Sequence, residues 1–83
     1  MRADITRGEL IDLAANLNNA NRICKRSFGH GIQRTIEVPS GMMLAHVSTQ
    51  LGAPVHKACN ADGFYLHVIY AGIEFRTRPL DMQ

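Results

Sequence analysis

Apolar residues recur along this chain with two different periods, and the switch between them marks out its elements. Leu10, Leu13, Ala14, Leu17, Ala20 or Asn21, and Cys24 follow one another at steps of three and four, the period of an amphipathic helix. Thr6-Arg7-Gly8-Glu9 has the capping-box pattern, in which a hydroxyl and a carboxylate each satisfy a backbone N–H at the helix start. Ile5 and Leu10 stand at the staple spacing around that cap. Asn16, Asn18, Asn19 and Asn21 are weak helix formers, so this helix needs tertiary packing. Gly29 offers it a left-handed end.

Residues 33–38 alternate polar and apolar, with Ile36 and Val38 inward, and Pro39 stops the strand they predict. Ser40 is a good N-cap, Leu44, Val47 and Leu51 form a second helical stripe, and Gly52 ends it. After Ala53-Pro54, residues 54–61 read either as a short third helix, with Pro54 in its first turn, or as an irregular loop. Residues 65–70 and 73–78 are rich in strand formers, and Ala71-Gly72 between them predicts a tight hairpin. Leu66, Val68 and Tyr70 should share its inner face with Ile73, Phe75 and Thr77, while Glu74, Arg76 and Arg78 face solvent. The expected fold class is α+β: N-terminal helix, short strand, helix-turn-helix-like unit and C-terminal β-hairpin. The order is α-β-α-(α)-β-β, with the bracketed helix open.

Eighty-three residues fit one domain, residues 1–83, with a modest core. The apolar share of 46% is that of a globular chain, and no run is long enough to span a bilayer. The start of the chain lacks the apolar stretch of a secretory signal, and two cysteines do not make a disulfide framework. A cytoplasmic setting with free thiols is therefore expected. The net charge of +2 predicts no partner, but its distribution is uneven. Glu37 is the sole carboxylate between residues 13 and 61, while Arg22, Lys25, Arg26, Arg34 and Lys57 all fall there. Such a stretch suits phosphates or an acidic protein surface.

The segment Leu44-Ala45-His46-Val47-Ser48-Thr49-Gln50-Leu51-Gly52-Ala53-Pro54-Val55 looks like the first helix and turn of a helix-turn-helix, with a small Ala45 and a turn glycine. With the element order, it makes most of the chain resemble winged helix-turn-helix domains. That resemblance implies a non-enzymatic transcription regulator on double-stranded DNA. Its recognition helix would fall on residues 54–61 and expose His56, Lys57 and Asn60 to bases. Phosphate contacts would come from Arg22, Lys25, Arg26 and Arg34, and from Arg76 and Arg78 in the wing.

The competing reading is a small phage- or plasmid-type protein that inhibits or adapts a larger protein by covering it. Tyr65, His67 and Ile69 would form the outer face of the hairpin, a half-apolar patch suited to an interface. The terminal strand would leave an open edge, which a homodimer through the hairpin or a larger partner could cover. Neither reading calls for a cofactor. His30, His46, His56 and His67 are scattered, and no Cys-x-x-Cys, His-x-x-x-His or His-Glu-x-x-His spacing occurs. They read as surface or half-buried groups and no metal is expected, although a ligand set can still assemble in three dimensions. No Gly-x-Ser-x-Gly elbow or Walker loop is present, and Cys24 and Cys59 read as small apolar residues on helices. No catalytic residue is expected.

Overall fold

A computed structural model describes residues 5–77; Arg78 and the tail beyond it lie outside the described residues. The elements are α1 (Arg7–Phe28), β1 (Thr35–Glu37), α2 (Gly41–Leu51), β2 (His56–Asn60), β3 (Gly63–Tyr70) and β4 (Ile73–Arg76). The class is α+β, as the patterning implies. The first helix starts on the capping box: Thr6 Oγ1 accepts from the Glu9 N–H at 3.1 Å, and the Thr6 N–H donates to Glu9 Oε1 at 2.9 Å. Replacing Thr6 with alanine should lower stability by about 1 kcal/mol. The readout is a reduced urea midpoint with an unchanged denaturant slope. At the other end Gly29 takes φ 81° and donates to the Lys25 carbonyl at 3.1 Å. The α1 stripe buries Leu10, Ala14 and Asn21, and the turn after Cys24 is exposed.

The second helix is capped by Ser40, whose hydroxyl accepts from the Met43 N–H at 3.1 Å, and it ends at Gly52 with φ 65°. It buries Leu44, Val47 and Leu51. Arg7 ties the two helices together, its N–H donating to Gln50 Oε1 at 3.0 Å and its guanidinium to the Gln50 carbonyl at 2.8 Å. That places a cation at the carbonyl end of α2, where the helix dipole favours it.

Among the described residues four strands form one mixed sheet in the order β1-β4-β3-β2. β1 runs parallel to β4 with Ile36 opposite Phe75, and β3 is antiparallel to both β4 and β2. Ala71 and Gly72 link β3 to β4 with φ of 53° and 80°, the paired positive values of a type I′ turn. The inner face holds Ile36, Leu66, Val68, Tyr70, Ile73 and Phe75, as the hairpin pattern implies, and both helices pack on it. Val68 and Ile73 are completely buried. Thr77 is buried as well, its hydroxyl accepting from the Leu66 N–H at 3.1 Å.

Three expectations need correction. Residues 54–61 are neither the third helix of the helix-turn-helix reading nor a loop throughout: His56–Asn60 form β2. The reason is tertiary. β3 has eight residues and β4 only four, so the first half of β3 needs another partner for its backbone groups. β2 supplies it, with Lys57 opposite Leu66 and Asn60 opposite Gly63. The expected open edge is also elsewhere. β4, the C-terminal strand, is interior because β1 pairs with it, and the sheet ends at β1 and β2. Cys59 lies on an exposed strand and not on the apolar face of a helix.

Candidate functional site

Side chains alternate between the two faces of a strand, and directly paired residues share a face. The β registers therefore place Thr35, Glu37, His56, Ala58, Asn60, Tyr65, His67, Ile69, Glu74 and Arg76 together on the face that the helices leave bare. The expected interface residues Tyr65, His67 and Ile69 stand in a row along β3, and Ile69 is 53% exposed.

The middle of this face is an ordered cluster. His67 lies between His56 on β2 and Arg76 on β4. Its Nδ1 is 2.9 Å from Glu74 Oε2, and Thr35 Oγ1 donates to the other carboxylate oxygen at 3.3 Å. An ionised carboxylate only accepts, so Nδ1 of His67 carries the proton in that bond. Tyr65 packs edge-on against His67 at 5.5 Å between ring centroids, and His56 does so from the other strand at 6.0 Å. The Arg76 guanidinium lies 5.0 Å above the Tyr65 ring, a cation–π distance. Glu74 and Thr35 were not singled out as site residues in the sequence. Their signal was strand alternation, which sets Glu74 on the solvent side of the hairpin and Thr35 on the outer side of the first strand.

The residues expected to hold DNA do not converge. His56, Asn60 and Arg76 lie on the bare face, while Lys57 points to the other side, 4.9 Å from the centre of the Phe64 ring. Arg22, Lys25 and Arg26 are exposed on the last turns of α1, which packs on the covered face. Arg22 is hydrogen-bonded to Asn19. Two others have structural work. Arg34 donates to Asn18 Oδ1 at 2.9 Å, and Asn18 donates in turn to the Ala71 carbonyl at 2.8 Å, so this pair clasps the β3–β4 turn. Asn60 Oδ1 accepts from the Asp62 N–H at 2.8 Å and shapes the β2–β3 turn. With β2 a strand, no helix stands in the recognition-helix position. Arg78 is outside the described residues.

Comparison of the chain with protein-family models, with curated proteins and with solved structures finds no match. Among the described residues no helix is long and apolar enough to cross a membrane. A shallow apolar groove of about 250 Å³ opens between α1, α2 and β1, lined by Ile5, Leu13, Ile36, Pro39 and Met43 among others. Hydrophobic side chains dominate that lining, whereas the bare face gathers polar, aromatic and titratable groups.

Proposed function

We propose that this chain is a small non-enzymatic binding protein whose partner is another protein. The observation that carries this reading is that both helices pack on one face of the sheet, leaving the row Tyr65, His67 and Ile69 on the other, and that no other described strand pairs with the outer edge of β2. An edge strand offers free N–H and C=O groups to an incoming strand, and the side chains beside it supply selectivity. Tyrosine and arginine are residue types enriched in protein interfaces. The charged side chain of β2 is Lys57, so an extended segment of neutral to acidic character complements this edge.

The winged-helix reading, with double-stranded DNA as partner, is weakened by the split of its contact residues over two sides of the molecule. What remains for phosphates on one element is Arg22, Lys25 and Arg26. Three phosphate contacts would lower duplex affinity about forty-fold between 50 and 200 mM salt, from a slope of about −0.9 per contact.

The test compares wild type with Ile69→Lys and Tyr65→Ala. The lysine introduced on β3 would stand opposite Glu74, so the fold should tolerate it. Each protein is used as bait in a quantitative pull-down from host lysate, and each is titrated onto a labelled mixed-sequence duplex at both salt concentrations. The expected result is a protein captured by wild type, lost from both variants, and no salt-sensitive duplex binding. Micromolar duplex binding with the steep salt loss, insensitive to both substitutions and abolished by charge reversal at Arg22, Lys25 and Arg26, would overturn the proposal in favour of DNA.

A further inference from the structure

The bare face brings together two histidines that lie eleven positions apart in sequence and directly opposite each other in space, His56 on β2 and His67 on β3. We infer that this pair is a site for a borderline divalent transition metal such as Zn²⁺ or Ni²⁺, held by the two imidazoles and oriented by Glu74.

Three observations carry it. The first is the distance. Two imidazoles on one tetrahedral metal, with metal–nitrogen bonds of about 2.0–2.1 Å, have ring centroids about 5 Å apart. The His56 and His67 centroids are 6.0 Å apart, edge to face. His56 is exposed and no hydrogen bond among the described residues holds it, so turning its ring closes the difference without moving backbone.

The second is the Glu74 bond. Glu74 accepts the Nδ1 proton of His67, which in the neutral ring leaves Nε2 with its lone pair free to ligate. A carboxylate behind a histidine is the arrangement that fixes the tautomer of metal-bound imidazole and raises its basicity. Thr35 in turn holds Glu74, which stiffens the arrangement from a fourth strand.

The third is charge. Glu74 contributes a negative charge beside the pair, which offsets the positive charge of Arg76 opposite His67, and the Arg76 guanidinium stacks over the Tyr65 ring. Imidazole ligands suit zinc, copper and nickel, and disfavour magnesium and calcium. Among the described residues no third His, Cys, Asp or Glu joins the pair as a ligand. The described residues therefore supply two ligands, one fewer than a catalytic zinc site takes from its protein, and water or an incoming group would fill the remaining positions.

Zn²⁺ is titrated into the full chain by calorimetry, and Ni²⁺ is added during amide and imidazole NMR. One equivalent should bind. Ni²⁺ should broaden signals of His56, Lys57, Leu66 and His67 before all others. His56→Ala and His67→Ala should each weaken Zn²⁺ at least ten-fold, and Glu74→Gln should weaken it by about ten-fold, as loss of an outer partner does. His30→Ala and Cys59→Ser should leave it unchanged. Because the His56 side chain is exposed, His56→Ala retains the fold, and its amide spectrum verifies this; that variant decides the matter if His67→Ala unfolds. Unchanged affinity in His56→Ala, or broadening centred on any other residue, overturns the assignment.

Discussion

Phe75→Ala should remove about 3–5 kcal/mol, the range for truncating a buried aromatic ring. The loss has two parts. The ring leaves water on folding, and alanine leaves a cavity that its surroundings fill only partly. Collapse is hard at this position. Phe75 is 1% exposed on β4, with Val68 beside it on β3 and Ile36 on β1, and all three strands are locked by register. A domain of this length holds about 4–12 kcal/mol in total at about 0.05–0.15 kcal/mol per residue, so the variant should sit near the edge of unfolding. Urea denaturation followed by circular dichroism measures it. A loss below about 1.5 kcal/mol would be the cost of a half-exposed side chain and would contradict the packing of the sheet centre.

The second large effect is expected at Asn21. Its side chain is 8% exposed within α1, where asparagine is a poor helix former. It remains because Oδ1 accepts the Ile32 N–H at 2.9 Å and fastens the segment that leads from α1 into β1. Asn21→Ala strands that donor, which costs about 1–3 kcal/mol, while better helix propensity returns about 0.6 kcal/mol. The net loss should be about 0.4–2.4 kcal/mol. The Ile32 amide should also lose hydrogen-exchange protection beyond the global change, a signature that general destabilisation does not produce. Gly31 belongs to the same device: a Cβ there would run into the Asn21 carboxamide. Equal protection at Ile32 in wild type and variant would show that this bond does not hold the segment.

Both positions show how local pattern and tertiary context divide the explanation. The burial of Phe75 is legible from alternation along residues 73–77, since one face of a hairpin must be apolar to meet a core. The role of Asn21 is not legible, because four asparagines punctuate the helix and only the return of the chain decides that Asn21 takes the Ile32 N–H while Asn18 takes Arg34 and the β3–β4 turn. The strand at His56–Asn60 went unread for a related reason. Asp62-Gly63 resembles a helix stop as much as a hairpin turn, and residues 55–60 have no clean two-residue alternation. Exposure on both faces removes the pattern that would have revealed a strand.

The same step reorganised the candidate site. Tyr65, His67 and Ile69 were readable as an outward row because the β3 period alone sets their face. Their neighbours His56, Thr35, Glu74 and Arg76 come from three other strands, and only register brings them together. The charge run on α1 was likewise readable in sequence, but not its position on the opposite side from Arg76.

By itself the sequence determined the two helices with their caps, the C-terminal hairpin and its buried face. These depend on local hydrogen bonding and on apolar spacing along a single element. The tertiary structure alone decided that β1 fills the edge of β4, that β2 completes β3, and that the two histidines meet. Those outcomes depend on which distant backbone groups remain unpaired and find one another, and no short window of sequence contains both halves of such a pair.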